Sequence, residues 1–247
     1  MNNKSVVITG GSQGIGFAAG VALGELGYTV VLLGHTRESG MAAAGQLQEM
    51  NIDAVGDGAN VGDPQEMNEL ASRLGPLAEP DVLVISAGVM SARMSKTLRT
   101  TSEEWSRVMS TNLDGAFNAI RLFTPGMVSR RDGRVISVSA CLGRFSGPGT
   151  SGGLAPYRVS KAGLNALTRN FAAETNWGER GVLVDAMCPN HCRTNMGGPD
   201  AARSAQEGAE TIVWLATSDL AQRHAQVNVS DTALTGLLWE DRAIVPW

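Results

Sequence analysis

Residues 9–16 read Thr9-Gly10-Gly11-Ser12-Gln13-Gly14-Ile15-Gly16, a glycine-rich stretch between an apolar run and an Ala-rich run. The apolar run Ser5 to Thr9 before them is typical of a buried strand, and the Ala-rich run Gly14 to Leu26 after them is typical of a helix. Glycines at such a junction allow a tight turn and let the backbone approach a pyrophosphate, which the helix N-terminus attracts. We interpret the stretch as a nucleotide-binding loop; a purely structural turn is the alternative.

The rest of the chain alternates strand and helix patterns. Further strands are predicted at Tyr28 to Leu33, Ala54-Val55, Asp81 to Ile85, Arg134 to Ser139, Gly181 to Met187 and Leu234 to Trp239. Further helices are predicted at Glu38 to Met50, Pro64 to Leu74, Ser102 to Met127, Tyr157 to Trp177 and Ser204 to Thr217. This alternation predicts an α/β fold: a doubly wound, mainly parallel seven-stranded sheet with helices on both faces, in a single domain over residues 1–247.

Composition narrows the function classes. The 247 residues are 43% hydrophobic and 18% charged, which is ordinary for a globular protein with a large core. The formal net charge is -4, and a run of basic residues is absent, so neither nucleic acid nor an anionic membrane is an expected partner. The sequence contains neither a signal peptide nor a stretch long enough to span a membrane, and we expect a cytoplasmic protein.

The three cysteines are Cys141, Cys188 and Cys192. They form an odd set without a CxxC pair, which favours a reducing compartment. Cys188, His191 and Cys192 lie close in sequence, but a fourth ligand is not evident nearby, so we expect no metal site.

Tyr157 and Lys161 form a candidate acid/base pair. Residues four apart lie on one face of a helix, so both side chains would point into the same space. A phenol has an ordinary pKa of about 10, and a nearby ammonium lowers it. The pair is then a candidate for proton transfer to or from an oxygen. A surface Tyr and Lys on an amphipathic helix is the alternative.

Together these motifs resemble the short-chain dehydrogenases/reductases, and the C-terminal part resembles a carbonyl-reductase-like subgroup. The resemblance covers essentially the whole chain, with its motifs in the expected order. It rests on the Gly10-Gly14-Gly16 spacing, Tyr157-xxx-Lys161, Asn112 in Ser110-Thr111-Asn112-Leu113, Met187-Cys188-Pro189-Asn190 with Arg193-Thr194, and Gly236 to Trp247.

The resemblance implies a Rossmann-type fold, a nicotinamide cofactor and hydride transfer to or from a substrate carbon. It assigns proton transfer to Tyr157, ribose binding and a lowered tyrosine pKa to Lys161, and a relay water to Asn112. The cofactor-binding residues that it implies are Gly10, Ser12, Gln13, Gly14, Ile15, Gly16, His35, Arg37, Asn60, Val61, Ala87, Gly88, Tyr157, Lys161, Pro189, Asn190 and Thr194.

The catalytic serine of the family has no direct counterpart in this chain. Related sequences carry two serines in tandem after the fifth strand, and here the second position is Ala140. Ser139 is the nearest hydroxyl and our catalytic candidate, although neighbouring side chains in a strand point to opposite faces. A hydroxyl of the following loop, from Ser146, Thr150 or Ser151, and the absence of any serine role are the alternatives.

Two further departures concern the cofactor. The segment after the second strand carries Arg37 and no acid before Glu38, so we expect NADP(H), with NAD(H) as the alternative. Gln13 weakens this preference, because relatives that prefer NADP often have a basic residue there. Asn190 replaces the usual glycine after Pro189, and the His191 that follows either reaches the active site or is structural.

These features predict an NADP(H)-dependent reductase of a carbonyl group in a small or medium neutral organic molecule. Residues expected to line the pocket, such as Met90, Phe145 and Met196, are largely apolar. A related enzyme without net redox chemistry (elimination, epimerisation or cyclisation) is one alternative, and a cofactor sensor without turnover is another. We expect a homo-oligomer, either a dimer or a tetramer.

Overall fold

The computed structural model describes residues 4–92, 95–227 and 235–247. The strands in these ranges are β1 Ser5–Thr9, β2 Thr29–Gly34, β3 Ala54–Gly58, β4 Val82–Ile85, β5 Gly133–Val138, β6 Val182–Cys188, β7 Leu238–Glu240 and β8 Ala243–Val245. They form one sheet in the order β3-β2-β1-β4-β5-β6-β7-β8. Every neighbouring pair is parallel except β7 and β8.

Helices cover both faces of this sheet. They are α1 Gly14–Glu25, α2 Arg37–Glu49, α3 Pro64–Leu74, α4 Ser102–Met109, α5 Gly115–Phe123, α6 Pro125–Arg130, α7 Ala155–Glu174, α8 Ala205–Thr217 and α9 Leu220–Val227. One core cluster joins the sheet to α1, α2 and α8, and a second joins it to α3, α5 and α7. In β1, Val6 and Ile8 belong to the first cluster and Val7 to the second, which is the alternation expected of a strand buried on both faces.

The predicted doubly wound α/β fold is confirmed, and the sheet has one strand more than predicted. β8 pairs with β7 through a two-residue turn, Asp241-Arg242, in which both residues have positive φ, 51° and 62°. Such turns favour Asn-Gly, and Asp-Arg gives no comparable signal in the sequence. Of the predicted strand Leu234 to Trp239, Leu234 lies outside the described residues, and β7 begins at Leu238.

The predicted helix Ser102 to Met127 is divided. α4 ends at Met109, a π-helical turn covers Ser110–Asp114, and α5 follows directly. A π turn keeps the chain helical while it inserts an extra residue, so the apolar pattern does not reveal it. A second break comes before Pro125, which lacks the N–H that a continuous helix needs. Asn112 lies in the π turn.

The strand order places the carboxyl ends of β1 and β4 side by side, where the chain changes direction across the sheet. In open α/β sheets a crevice forms at such a point. The segments after β1, β4, β5 and β6 therefore meet at one edge. Within the described ranges, no helix combines the length and the apolarity that crossing a membrane would require.

Candidate active site

A cavity of about 750 Å³ lies at the carboxyl ends of the parallel strands. It extends from the side of β2 and β3, where His35 and Asn60 line it, to the side of β5 and β6, where Ala140 and Pro189 line it. The predicted site residues in its wall are Gly10, Ser12, Gln13, Gly14, Ile15, His35, Asn60, Val61, Ala87, Gly88, Ser139, Tyr157, Lys161, Pro189, Asn190 and Thr194.

Three predicted site residues, Gly16, Arg37 and Asn112, lie outside the wall of this cavity. Gly16 lies against Gly10, and Asn112 forms hydrogen bonds with Val89. Gly10 and Val89 both line the cavity. Arg37 lies at the beginning of α2 with an exposed side chain.

The glycine-rich stretch needs the absence of side chains at two positions. Gly10 has a φ of 64°, and a Cβ there would lie 2.7 Å from the Ala87 Cα. A Cβ on Gly16 would lie 2.5 Å from the carbonyl oxygen of Gly10. Because Gly14 and Ile15 open α1 and line the cavity, the free N–H groups of the first helical turn lie there. The stretch fits the pyrophosphate of a dinucleotide.

Asn112 ties the segment after β4 to α7. Its side-chain oxygen accepts a hydrogen bond from Val89 N at 2.7 Å, and its Nδ2 donates to Val89 O at 3.0 Å and to Ser160 Oγ at 2.9 Å. Ser160 Oγ in turn donates to the carbonyl oxygen of Tyr157 at 2.8 Å. Asn112 is 1% exposed, so in this structure it positions the backbone on both sides of the cavity.

Tyr157 and Lys161 lie one turn apart near the start of α7, and both are buried. The Lys161 Nζ donates a hydrogen bond to Val138 O at 2.7 Å. It lies 5.9 Å from the centre of the Tyr157 ring. The structure therefore brings the phenol and the ammonium into one wall of the cavity.

Burial dominates the protonation of both groups. It raises the pKa of Tyr157 above its ordinary value, and the nearby Cys188 and Cys141 thiols raise it further. It lowers the pKa of Lys161 to about 8, which the Cys188 thiol opposes. In this structure burial is the largest cause of the Tyr157 pKa shift and its direction is upward, so the lowering by the Lys161 ammonium stays a prediction. Tyr157 is a neutral phenol at neutral pH and therefore a proton donor.

Ser139 and Ala140 follow β5, where the family resemblance places a catalytic serine. The Ser139 hydroxyl donates a hydrogen bond to the side-chain oxygen of Asn165, and the residue is 2% exposed. Ala140 packs with Tyr157 in a small apolar cluster. Both residues line the cavity, but the Ser139 hydroxyl is engaged elsewhere. The catalytic role of Ser139 stays a prediction.

The loop after β6 closes over the glycine-rich stretch. A Cβ on Gly14 would lie 3.2 Å from the Thr194 methyl group, and Asn195 Nδ2 donates to Gln13 Oε1 at 2.6 Å. Asn190 has a φ of 61°, a left-handed conformation that asparagine tolerates better than most residues and that explains the usual glycine at this position.

His191 lies in the cavity wall with an exposed ring. Its Nε2 is 2.8 Å from the carbonyl oxygen of Gly197, which can only accept, so Nε2 carries the proton. This bond holds the loop together.

Arg37 lies beside Asp57 at the end of β3. Its Nε is 3.9 Å from Asp57 Oδ1, and its side chain is 61% exposed. Arg73 binds the same carboxylate more closely, at 2.9 Å and 3.0 Å. The Arg37 guanidinium is therefore only weakly engaged and is accessible to solvent.

The cavity is also lined by three residues that were not predicted to belong to the site: Arg107, Cys141 and Cys188. Arg107 donates to Met90 O at 2.8 Å and pairs with Glu104 at 2.9 Å. Cys188 ends β6, and Cys141 follows β5 by three residues. Since β5 and β6 were both predicted, the position of these cysteines at two strand ends was the available signal.

Comparison with known proteins identifies the family. Residues 4–205 match the model of the short chain dehydrogenase family. The 3-oxoacyl-(acyl-carrier-protein) reductase FabG of Staphylococcus aureus is 34% identical over 198 residues, which are 78% of this chain and 76% of that protein.

Solved structures agree with this assignment. A short chain dehydrogenase/reductase family protein matches with a TM-score of 0.79 at 26% identity, over 96% of this chain and 94% of that chain. A variant of the actinorhodin polyketide ketoreductase, solved with NADPH, has the same fold, with a TM-score of 0.82 at 23% identity over 97% and 96% of the two chains. The chain therefore belongs to the short-chain dehydrogenase family and is an NAD(P)-dependent oxidoreductase.

Proposed function

We propose that this protein is an NADP(H)-dependent reductase that converts a carbonyl group of a small or medium neutral organic molecule to an alcohol, with Tyr157 as general acid. One observation carries the proposal: Tyr157 and Lys161 are buried in the wall of the cavity that the glycine-rich stretch also lines. A dinucleotide site and an acid/base pair thus share one enclosed space.

The residues suit reduction in particular. A bound nicotinamide would supply the hydride. Tyr157 is a neutral phenol at neutral pH, and burial favours this protonated form further, so it holds the proton that the substrate oxygen requires. Lys161, with its pKa lowered to about 8, is mainly cationic at neutral pH and supplies positive charge next to the phenol. Its N–H groups that do not bind Val138 O suit the hydroxyls of a ribose.

Arg37 favours NADP(H) over NAD(H). Its exposed guanidinium follows β2 at the position where a 2′-phosphate is read in such folds. The Asp57 carboxylate is 3.9 Å from the Arg37 guanidinium and forms a closer ion pair with Arg73, at 2.9 Å, so it binds Arg37 only weakly. Gln13, which engages Asn195, adds no charge to the glycine-rich stretch, and NAD(H) remains the second candidate.

The cavity wall near Tyr157 favours an uncharged substrate. Ala140, Met90 and Leu142 contribute to the same apolar cluster as Tyr157, and Met196 lines the cavity from the loop after β6. Phe145, expected in the pocket, lies outside the lining and is 82% exposed. Because a relative is named as a reductase of 3-oxoacyl groups, a 3-oxoacyl thioester belongs in any substrate panel.

A second candidate function rests on Ala140. With a methyl group beside Tyr157 and the Ser139 hydroxyl bound to Asn165, the site has lost a donor that would stabilise a carbonyl reduction. This favours an elimination, epimerisation or cyclisation that uses only the Tyr157–Lys161 pair. A cofactor sensor without turnover would also account for the intact cavity.

The test is to mix the protein with NADPH and a panel of ketones, aldehydes and a 3-oxoacyl thioester, and to follow nicotinamide absorbance and product together. Reduction predicts equal loss of NADPH and gain of alcohol. Tyr157→Phe should lower the rate about 10²- to 10⁴-fold, whereas Tyr28→Phe, a buried tyrosine outside the cavity, should not.

Two other outcomes would reject the reductase. Conversion of a compound without loss of NADPH would establish the non-redox enzyme. If the protein bound NADPH but converted none of the compounds, a cofactor sensor without turnover would be the function that the data support.

We also propose a homo-oligomer in the cytoplasm. Exposed apolar side chains lie on adjacent helices: Trp105 on α4, Phe117 on α5 and Val159 on α7, at 39%, 52% and 44% exposure. Such a surface favours contact between two copies of this chain. Light scattering after gel filtration tests the oligomer, and a monomer would reject it.

The cytoplasmic location is supported separately, because the three free cysteines favour a reducing compartment.

A further inference from the structure

The ends of β5 and β6 place two thiols side by side in the cavity wall. The strands are parallel neighbours, with Val138 opposite Met187. Cys188 ends β6, and Cys141 opens the short 3₁₀ turn that follows β5. The turn brings the backbone N–H of Cys141 to 3.0 Å from Cys188 Sγ, to which it donates a hydrogen bond. Both line the cavity that we assign to the cofactor and the substrate.

The surroundings make the two thiols unequal. The pKa of Cys141 is lowered to about 6, first because the Cys188 thiol donates a hydrogen bond to it and also because Arg144 is near; burial and Glu240 oppose this. The same hydrogen bond and burial raise the pKa of Cys188. Cys141 is half-buried and Cys188 buried. The pair therefore combines a half-buried thiol whose pKa is lowered with a buried thiol whose pKa is raised.

Cys192 offers a contrast within the same chain. It is 4% exposed, and its Sγ donates to Pro189 O at 3.1 Å. Burial raises its pKa, so it remains a protonated thiol. It therefore provides an internal reference for the reactivity of the pair.

We propose that Cys141 and Cys188 form a peroxide-sensitive modification site, in which Cys141 is oxidised first and Cys188 closes a disulfide with it. This goes beyond the reductase activity and does not depend on it. Low-pKa accessible thiolates with a second thiol in contact are the sites at which such oxidation occurs.

The chemistry balances with hydrogen peroxide as the oxidant. The Cys141 thiolate attacks a peroxide oxygen, the O–O bond breaks, and hydroxide leaves, which converts Cys141 to a sulfenic acid. The Cys188 sulfur then attacks the Cys141 sulfur. The S–S bond forms, the S–O bond breaks, and the departing hydroxide takes the Cys188 proton as water. One thiolate and one thiol have together lost two electrons, and the peroxide has become one hydroxide and one water.

The test treats the folded wild-type protein with hydrogen peroxide, alkylates the remaining thiols and maps peptides by mass spectrometry. We expect a Cys141–Cys188 cross-linked peptide, an alkylated Cys192, and reversal by dithiothreitol. Without peroxide, alkylation at neutral pH should be about tenfold faster at Cys141 than at Cys192.

Variants separate the two steps. Cys188→Ser should stop at a Cys141 sulfenic acid that dimedone traps, whereas Cys192→Ser should still form the cross-link. The proposal is overturned if the wild-type protein keeps all three thiols while its urea-unfolded form oxidises under the same conditions. It is equally overturned if the cross-link found joins Cys192 to either partner.

Discussion

The Ser139 hydroxyl donates a hydrogen bond to the side-chain oxygen of Asn165 on α7. Asn165 in turn donates to Gly143 O at 3.2 Å, so this pair fixes the turn between β5 and the segment that leads to α7. Ala140, next in the chain, faces Tyr157. In this arrangement the Ser139 hydroxyl ties the residue after β5 to α7, and the Ala140 methyl group packs in the same apolar cluster as Tyr157.

Ser139→Ala should therefore change stability more than chemistry. Losing the donor leaves the buried Asn165 oxygen without that partner, which costs about 1–2 kcal/mol of unfolding free energy in urea denaturation. The turnover number should stay within about threefold of the wild type. A hundredfold loss of turnover in a correctly folded Ser139→Ala protein would establish Ser139 as catalytic.

The complementary variant is Ala140→Ser. It places a hydroxyl beside Tyr157, where one added hydrogen bond to a developing oxyanion is worth about tenfold in rate. An unchanged or lower reduction rate would show that Ala140 does not face the reacting oxygen.

Asn112→Ala should destabilise the fold strongly. It removes three hydrogen bonds and leaves Val89 N, Val89 O and Ser160 Oγ to be satisfied inside the protein, at a cost of about 2–4 kcal/mol in urea denaturation. Asn118→Ala is the matched control. Asn118 is also buried, but its amide has one hydrogen bond, to Val61 O at 2.9 Å, so the cost should be about 1–2 kcal/mol. Equal losses would contradict the bridging role of Asn112.

Lys161 should make stability depend on pH in a defined window. Its folded pKa, about 8, is below the unfolded value of about 10.4, so between these values the unfolded chain binds the proton and the folded protein does not. The free energy of unfolding therefore rises with pH between about pH 8 and pH 10.4. Below about pH 8 the folded protein must bury a charged lysine, which lowers the free energy of unfolding.

Lys161→Met isolates this effect. The free energy of unfolding of the variant minus that of the wild type should fall by about 2 kcal/mol from pH 7 to about pH 9.5. A difference that stays constant with pH would mean that the Lys161 ammonium is not desolvated.

Arg37 should set the cofactor preference. Arg37→Ser is expected to raise the Kd for NADPH about tenfold, roughly 1.4 kcal/mol, and to leave the Kd for NADH unchanged. Arg121→Ser is the control, since Arg121 is exposed on α5 outside the cavity. Titration by quenching of tryptophan fluorescence measures both constants. If the Kd values for NADPH and NADH rose by the same factor, Arg37 would have no role in recognising the 2′-phosphate.

Much of this architecture was predictable because it is local in sequence. The glycine-rich stretch lies between an apolar strand and an Ala-rich helix, and the strand–helix alternation leaves few topologies. The i, i+4 spacing of Tyr157 and Lys161 was enough to place them together. The short strand β8 was missed because Asp241-Arg242 gives no hairpin signal, and the π turn at Asn112 because it preserves the helical pattern.

What could not be predicted depends on contacts between distant residues. Ser139 and Asn165 are 26 residues apart, and Cys141 and Cys188 are 47 apart. The sequence shows that Ala140 lacks a hydroxyl, but only the packing shows where the Ser139 hydroxyl goes. The direction of the Tyr157 pKa likewise follows from burial, which the pentapeptide Tyr157 to Lys161 does not reveal.

We propose that hydride is transferred to a carbonyl carbon with Tyr157 as proton donor, and an isotope-transfer experiment tests this reaction. NADPH deuterated at both C4 positions is incubated with a substrate found in the panel, and the product is analysed by mass spectrometry. We expect an alcohol with one deuterium at the former carbonyl carbon, formed by the wild type and by Tyr28→Phe and lost with Tyr157→Phe. Converted substrate without deuterium would contradict it, because the Tyr157–Lys161 pair would then serve a reaction without net redox change.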